Sequence, residues 1–285
     1  MDIETVIERE AEARRRRIAE LSFLDANIWL GTPSFFPLAR ELGAGEVEGA
    51  LKEYGLAGAL VSHWDAVRLS AQEGNQALIE AGAALPEDTY TVWTGLPTAM
   101  PEQDPLPGPG RGAWSGGGSA GRSARGRPDP RLRGVRLFPK THQYQLAAWV
   151  VGELCEWCSQ RRLPLFVWHV ELEWDSLQAL AAAFPRLSIV IESQWQKILY
   201  HNRDLFSLLK ACPNVLLESS NFVGQDNVSA FVRSFGGERL LWGSFLPVND
   251  PYASIGMVLE ADIPEADKRL IAGGNLRRLI AGVKP

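Results

Sequence analysis

The feature that most constrains the fold of this chain is an alternation of short apolar runs with longer helical patterns. Eight runs have strand length, and several are apolar on both faces, which is typical of parallel strands covered on both sides. They are Ser22–Ile28, Leu56–His63, Thr89–Gly95, Gly134–Phe138, Leu163–His169, Leu187–Ser193, Val215–Ser220 and Leu240–Phe245. Eight strands that alternate with helices predict an α/β fold, the (β/α)8 TIM barrel.

Helical patterns fill most of the intervals between these strands. They are Pro37–Tyr54, Ala66–Ala84, Leu146–Arg161, Trp174–Phe184, Gln196–Ala211, Asn227–Phe235, Tyr252–Glu260 and Pro264–Ile280. An open, doubly wound sheet is the alternative, but such sheets usually have fewer strands and a glycine-rich first turn. The first strand here runs into DANIWLGTP, which contains no GxGxxG motif.

One interval has a different composition. Residues 101–134 hold nine Gly, six Pro and six Arg but only three acidic residues. This composition predicts a flexible, basic, solvent-exposed loop that replaces the third barrel helix, with a lid or an anion-attracting arm as the alternative. Without these 34 residues the chain keeps 251 of its 285, close to the ~250 of a bare barrel. We therefore expect one domain over residues 1–285, with an N-terminal helix at 1–20.

Charge and cysteine content exclude several classes of protein. The net charge of −5 gives no general attraction to nucleic acid. No stretch approaches the roughly 20 apolar residues of a membrane span, and the charged N-terminus with Arg14–Arg17 lacks the apolar core of a secretory signal. We therefore expect a cytoplasmic protein without membrane or nucleic-acid partners. The odd cysteine count argues against disulfides, and Cys155 and Cys158 share a helix face, which favours packing over metal binding.

Seven segments in chain order carry recognisable short motifs. They are Phe23–Gly31 (FLDANIWLG), Gly134–Pro139 (GVRLFP), Leu163–His169 (LPLFVWH), Pro185–Ser193 (PRLSIVIES), Pro213–Ser220 (PNVLLESS), Gly243–Pro247 (GSFLP) and Gly274–Leu279 (GNLRRL). Together they resemble the amidohydrolase-related (amidohydrolase 2) family of TIM-barrel metal-dependent hydrolases and decarboxylases, which includes aminocarboxymuconate semialdehyde decarboxylase. The resemblance implies the barrel fold and, in the family, a divalent metal held by a first-strand HxH pair, further histidines and a catalytic Asp in GSDxP.

The positions that match the family's metal ligands hold other residues here. Asn27 and Trp29 stand at the HxH pair, and Phe245 stands at the Asp of GSDxP. The strand-five histidine falls at Trp168, next to His169, and the strand-six histidine falls at Ser193 or Gln194. A catalytic zinc needs about three protein ligands, and these positions supply at best one imidazole. The resemblance therefore implies the fold without the metal, and we predict no metal ion and no other cofactor.

Residues at the carboxyl ends of the barrel strands form the mouth, where TIM barrels hold their active sites. Aromatic walls with a few polar groups are typical of a ligand pocket, although large side chains could equally plug the mouth. A catalytic site that works without metal is the third reading. The candidate binding residues are Asn27, Trp29, Trp64, His142, Trp168, Ser193, Gln194, Trp195, Asn221 and Phe245.

Five titratable residues near the strand ends are candidates for acid–base chemistry. The i, i+2 spacing of His169 and Glu171 places both on one side of an extended segment, where the carboxylate could orient the imidazole. His63, Asp65 and Lys140 complete the set, and a hydrogen-bonded loop pair is the alternative for His169 and Glu171.

Three functions are consistent with this sequence. The first is a ligand-binding or regulatory relative of the enzymes that has lost the metal site. The second is a metal-independent lyase, decarboxylase or isomerase acting on a small aromatic or carboxylic substrate. The third is a hydrolase with metal ligands of another kind. A small-molecule ligand and a homo-oligomer are the partners that the sequence leaves open.

Overall fold

Eight parallel strands follow one another in chain order in the computed structural model, which describes residues 2–33, 36, 39–97 and 129–284. Parallel neighbours need a crossover, and helices supply it in six of the seven connections, the one between β3 and β4 lying largely outside the described residues; the predicted (β/α)8 TIM barrel is confirmed. The strands are β1 Leu24–Leu30, β2 Gly58–His63, β3 Thr89–Thr94, β4 Leu132–Leu137, β5 Leu165–Trp168, β6 Ile189–Glu192, β7 Val215–Glu218 and β8 Leu240–Leu241.

The ring closes through the segment after β8 rather than through a regular ladder. The N–H of Phe245 donates to the carbonyl of Asn27 (2.9 Å), and that of Trp29 donates to Leu246 (2.8 Å). The expectation of a strand over Leu240–Phe245 was too long, because Phe245 has φ +65° and leaves the extended conformation. We call this closure the β8–β1 seam.

Helices cover the outside of the barrel. They are α1 Ile3–Leu21, α2 Val47–Tyr54, α3 Asp65–Arg68, α4 Ala71–Ala81, α5 Ala148–Arg161, α6 Trp174–Ala183, α7 Asn202–Ala211, α8 Asn227–Phe235, α9 Pro251–Leu259, α10 Glu265–Arg269 and α11 Asn275–Ala281. A π-helical turn, Leu270–Gly274, joins α10 to α11, so the predicted C-terminal helix Pro264–Ile280 runs on with a local irregularity.

Three predicted helices were wrong in their bounds. Among the described residues of Pro37–Tyr54 the first helical one is Ala44, and the N–H of Gly31 donates to the carbonyl of Leu42, which places Leu42 in a bridge rather than a helix (2.9 Å). Ala66–Ala84 is split into α3 and α4, because the side chain of Ser70 accepts from the N–H of Glu73 and starts a new helix (3.1 Å). Gln196–Ala211 becomes helical only at Ile198, in a 3₁₀ turn before α7.

The predicted loop over 101–134 falls largely outside the described residues, as does the lid that was its alternative. The last residues of the predicted loop belong to β4, which begins at Leu132, so the predicted end of the loop at residue 134 was wrong. Within the described residues, no helix is long and apolar enough to cross a membrane.

The barrel interior is apolar at its amino-terminal end. Every strand except β4 contributes at least one buried apolar residue to a cluster inside the barrel, and in β4 Gly134 leaves room for the ring of Phe166. The strand residues of this interior cluster are Leu24, Ala26, Leu60, Val92, Phe166, Val190, Leu216 and Leu241. Leu276 and Ile280 of α11 pack against this cluster and cover the end of the barrel. Polar and aromatic side chains therefore concentrate towards the opposite end, where the strands finish.

Candidate functional site

Five buried aromatic side chains fill the described part of the barrel mouth, and we call them the aromatic plug: Trp29, Trp64, Phe138, Trp168 and Phe245. Each is at most 2% exposed. Ring centroids lie 4.6 Å apart for Trp29 and Trp64, and 5.3 Å apart for Trp29 and Trp168. Each ring comes from the end of a different strand or from the loop after it, so packing within the plug connects five βα units.

Two further rings lie on the solvent side of the plug. Phe36 packs edge-on against Phe245 and Trp195, at 5.8 Å and 5.1 Å between centroids. Trp195 also lies 5.7 Å from Trp168, remains 39% exposed and has φ +79°. A bulky residue rarely adopts this left-handed conformation, which here holds the indole over the plug.

The first strand supplies a chain of hydrogen bonds beneath the plug. The indole N–H of Trp29 donates to Oδ1 of Asn27 (2.7 Å). Oδ1 of Asp25 accepts from the backbone N–H groups of Asn27 and Ser244 (2.9 Å each), which fixes the β8–β1 seam. Asp25 is fully buried, and burial raises its pKa to about 6.

A buried ion pair lies next to these residues. Nε of Arg136 donates to Oε2 of Glu192 (2.8 Å), and the Nη groups of Arg136 also bond the other oxygen of Glu192 and the hydroxyl of Ser62. The guanidinium lies 4.7 Å from the ring centroid of Trp29, a cation–π contact. We call Ser62, Arg136, Glu192 and Glu218 the polar belt.

Glu218 is the second buried carboxyl group of the belt. It lies opposite Glu192 in the register of β6 and β7, and it accepts from the N–H of Ser220 (2.6 Å) and from the Ser220 hydroxyl (2.9 Å). Burial, and then the charge of Glu192, raise the pKa of Glu218 to about 8. A Cβ on Gly243 would overlap this carboxyl group, so glycine is required there by space.

The belt was not among the predicted site residues, although the sequence carries a signal for it. One charged residue interrupts each of three otherwise apolar strands: Arg136 in GVRLF, Glu192 in IVIES and Glu218 in LLESS. Charged side chains are almost never fully buried unless they are paired, so one charge in each of several buried strands indicates a shared network.

The predicted pairing of His169 with Glu171 was wrong. Residues 169–171 form a 3₁₀ turn instead of an extended segment, so the two side chains diverge. Nδ1 of His169 donates to the carbonyl of Glu192 (3.3 Å), its Nε2 has no hydrogen-bond partner among the described residues, and burial lowers its pKa to about 4. Glu171 instead accepts from the N–H groups of Lys140 and Thr141, at 2.8 and 2.9 Å.

The other acid–base candidates are engaged separately. Nζ of Lys140 lies 3.1 Å from Oε1 of Glu173 on the exposed surface. The N–H of Asp65 donates to Nδ1 of His63 (3.2 Å), and burial lowers the pKa of His63. The ring is therefore neutral at pH 7, and the carboxylate of Asp65 beside it, at 3.4 Å, forms no ion pair there.

The remaining binding candidates brace the loops of the mouth. His142 donates from Nε2 to the carbonyl of Ala66 (2.9 Å). The hydroxyl of Ser193 accepts from the N–H of Asn221 (2.8 Å), whose amide donates to Gln196. The side chain of Gln194 is fully buried and lies beside the carboxyl group of Glu192, whose pKa it lowers.

Comparison with known proteins identifies the family. An amidohydrolase family model matches residues 120–281, more than half of the chain. The chain belongs to this amidohydrolase family. A comparison with curated proteins finds no match.

Solved amidohydrolase-like structures share the fold. One is 5-carboxyvanillate decarboxylase from Sphingomonas paucimobilis, with a TM-score of 0.62 and 15% identity over 93% of this chain and 100% of that one. An amidohydrolase from Burkholderia multivorans with bound zinc gives 0.62 and 15% identity, covering 91% and 99%. 2,6-Dihydroxybenzoate decarboxylase from Rhizobium gives 0.57 and 14%, covering 91% and 98%.

This amidohydrolase barrel places the matching family positions around its mouth. Asn27, Trp29, Trp168, Ser193 and Phe245 are all buried there, three of them as rings of the plug. Across the described residues, no three His, Cys, Asp or Glu side chains converge as a metal cluster would require. The CxxC cysteines are buried within α5, and burial raises the pKa of Cys155 to about 12, so its thiol stays protonated.

Proposed function

We propose that this amidohydrolase-family protein works without a metal ion, as a ligand-binding or regulatory relative of the family's enzymes. The hydrogen bond from the indole of Trp29 to Oδ1 of Asn27 carries the proposal. Those two residues stand where the resemblance implies the HxH ligands. The one oxygen of this pair that could bind a metal already accepts a hydrogen bond from the indole N–H of the other residue.

The available donors do not fit a catalytic zinc. Such a site uses three nitrogen, sulfur or oxygen ligands around an open position. Trp29 and Phe245 contribute none, because an indole nitrogen has no free lone pair and a phenyl ring has no donor atom. His169 could offer Nε2, because its Nδ1 donates to the carbonyl of Glu192, but across the described residues it does not converge with two further His, Cys, Asp or Glu side chains.

A groove of about 600 Å³ beside the plug offers room for a small ligand. Its lining includes Phe36, Arg40, Tyr54 and Asn249. The guanidinium of Arg40 is exposed, and no ion pair of Arg40 occurs within the described ranges. Arg40 is the cation of this lining, beside the carboxyl groups of Glu53 and Asp250. With the rings of Phe36 and Tyr54 it could hold an aromatic carboxylate, the compound class that two of the similar decarboxylases act on.

Metal titration tests the first half of the proposal. Zinc is added to chelator-treated protein and to the Asn27→Ala variant, and bound metal is counted after dialysis. We expect equal, substoichiometric zinc in both proteins, from surface sites alone. One equivalent that is present in the wild type and lost in Asn27→Ala would contradict a metal-free mouth.

Titration with 2,6-dihydroxybenzoate, followed by tryptophan fluorescence, tests the second half. We expect saturable binding that is weakened about tenfold or more in Arg40→Gln, which corresponds to about 1.4 kcal/mol or more. Arg203→Gln is the matched control, since Arg203 is also exposed but lies on α7. Binding that neither variant changes would count against the groove, and release of carbon dioxide would favour a retained lyase.

A further inference from the structure

A cavity of about 500 Å³ lies at the amino-terminal end of the barrel, on the opposite face from the aromatic plug. Its lining comes from the last turn of α5, from the segments that lead into β5 and β6, and from α11 with the residues after it. The buried side chains of Leu163 and Leu187 belong to this lining. Sites for small molecules occupy roughly 300–1,000 Å³, so the cavity is large enough for such a ligand.

Four basic residues line this cavity, and we call them the basic cluster: Arg162, Arg186, Arg278 and Lys284. Among the residues that the structure describes, no carboxyl group belongs to the lining. The chain as a whole has more acidic than basic residues, 34 against 29. Four bases without an acid therefore depart from what the composition alone would place around one cavity.

Another cavity, also lined by α11, has its positive charges accompanied. Arg133 and Arg277 line it together with Asp88. Arg277 also donates to the carbonyl and to the hydroxyl of Ser22, at 2.8 and 2.7 Å. The absence of a carboxylate is therefore a property of the basic cluster and not of every cavity along α11.

The charges of the basic cluster have no counter-charge in the described part of the chain. No salt bridge there involves Arg162, Arg186 or Lys284. Arg278 donates to the backbone carbonyl of Glu238 (3.1 Å), which carries no charge. Because like charges repel, an anion bound between these side chains would lower the electrostatic energy of this region.

Backbone hydrogen bonds fix the segments that carry the cluster. The N–H of Lys284 donates to the carbonyl of Arg161 at the end of α5 (2.8 Å), which keeps Lys284 beside Arg162. The N–H of Leu165 donates to the carbonyl of Ser188 (2.9 Å) and joins the segments that precede β5 and β6. The cations therefore converge from a rigid frame, even though their own side chains are exposed.

The donors around the cavity suit phosphate groups. Arginine binds phosphate through two parallel N–H bonds, and three of the four cations are arginines. Ser159 and Ser188 add two hydroxyls, and within the described ranges neither hydroxyl makes a hydrogen bond. No described aromatic ring lines the cavity, so a nucleobase would have nothing to stack on.

We propose that this cavity binds a small polyanion with two or more phosphate groups, such as pyrophosphate or a sugar bisphosphate. Several phosphates match several cations, and the compact cavity with its leucine walls favours a small ligand without an aromatic base. The site shares no lining residue with the groove beside the plug, so it does not depend on the function proposed for the mouth.

Isothermal titration calorimetry of the full chain with pyrophosphate tests the site. We expect one pyrophosphate bound per chain, with an affinity that falls as sodium chloride is added. Arg186→Gln should weaken binding about tenfold, and the double variant Arg162→Gln, Arg278→Gln about a hundredfold. Arg133→Gln, at the cavity that also holds Asp88, is the matched control and should leave the Kd unchanged.

Thermal unfolding separates a lost site from a damaged fold. Without pyrophosphate, Arg186→Gln should melt at or above the temperature of the wild type, because the substitution removes repulsion at an exposed position. Added pyrophosphate should then raise the melting temperature of the wild type far more than that of the variant.

Three results would overturn the proposal. The first is no binding, or binding that Arg133→Gln weakens as much as Arg186→Gln does. The second is citrate that binds as tightly as pyrophosphate, which would assign the cavity to carboxylates. The third is a complex with oligouridylate that the basic cluster supports and pyrophosphate does not displace, which would assign the face to RNA.

Discussion

Among individual residues, Trp29 joins the aromatic plug to the polar belt. Its ring packs 4.6 Å from that of Trp64, its indole N–H donates to Asn27, and its face lies 4.7 Å from the guanidinium of Arg136. One side chain therefore satisfies the oxygen of a buried amide, contacts a buried cation and fills space in the mouth. A smaller aromatic residue could retain part of the packing but not the hydrogen bond.

Replacing Trp29 with Phe should therefore destabilise the protein. The change leaves Oδ1 of Asn27 buried without its donor, which we expect to lower the free energy of unfolding by about 2 kcal/mol. Urea denaturation followed by circular dichroism measures the loss. Trp149→Phe is the control and should be neutral, because Trp149 is exposed. Equal stability of both variants would show that the hydrogen bond contributes nothing.

Glu218 should make the protein less stable as the pH rises towards 8. Its pKa is about 8 in the folded protein, above its ordinary value, so the folded state holds a proton that the unfolded state has lost. Stability therefore decreases from the unfolded pKa up to about pH 8, by at most about 1.4 kcal/mol per pH unit. His63, His142 and His169 have lowered pKa values, so their opposite contribution is complete by about pH 6.5.

Glu218→Gln is the variant that isolates this effect. Stability of the wild type should drop between pH 7 and pH 8, and the variant should lose most of that drop. Thermal unfolding at half-unit steps of pH measures both curves. Glu87→Gln, at an exposed position, should follow the wild type. A Glu218→Gln curve parallel to that of the wild type would mean that Glu218 is ionised when buried.

Among the elements, the strands were predictable and the starts of the helices were less so. Strands such as β5 and β6 are buried along their whole length, so apolar composition alone locates them. The start of α2 depends on the bridge between Gly31 and Leu42, and the split between α3 and α4 depends on the Ser70 cap. Such local hydrogen bonds compete with helix propensity and leave little trace in periodicity.

Gly243, which follows β8, has no room for an added methyl group. Gly243→Ala puts a Cβ into the space of the Glu218 carboxyl group, with Asn27 on the other side. We expect a loss of about 1–3 kcal/mol in the free energy of unfolding.

Gly49→Ala is the matched control for this prediction. Gly49 lies inside α2, and a Cβ there meets no atom within 4 Å. Alanine should therefore stabilise the helix by about 0.5–1 kcal/mol. Denaturant titration of the two variants side by side measures both signs, and a stable Gly243→Ala protein would mean that the β8–β1 seam is loosely packed.

For the whole molecule, the sequence predicted which residues lie at the barrel mouth, but it did not predict which of them contact one another. Strand ends predicted that Asn27, Trp29, Trp168 and Phe245 would meet, because parallel strands of a barrel finish at one face. It did not predict the partners of His169 and Glu171, which depend on a 3₁₀ turn of three residues. Nor did it predict the pairing of Arg136 with Glu192, which are 56 positions apart.

Because the aromatic plug fills the mouth, removing one of its rings should leave a cavity. Trp168→Ala removes a central ring of the plug and should lower the free energy of unfolding by about 3–5 kcal/mol. It should also create an apolar cavity that binds indole, since such cavities accept small aromatic molecules. Indole-dependent recovery of the melting temperature measures both effects.

Trp157→Ala, on α5 away from the mouth, is the control for this rescue. It should be destabilised as well, because Trp157 is also buried, but by a cavity on the outer side of the barrel. Rescue by indole to the same extent in both variants would show that the mouth has no special capacity for a ligand.

The β8–β1 seam divides the ring unequally. Seven junctions are ladders of paired strands, whereas this one depends on a few backbone hydrogen bonds around Phe245 and on the carboxylate of Asp25. Amide protons along the seam should therefore exchange with deuterium before those of β5 and β6. In a circular permutant the original termini are joined and the chain is opened elsewhere. Opening it at the β8–β1 seam would place the new termini at the junction with the fewest strand hydrogen bonds, so we expect this site to tolerate permutation best.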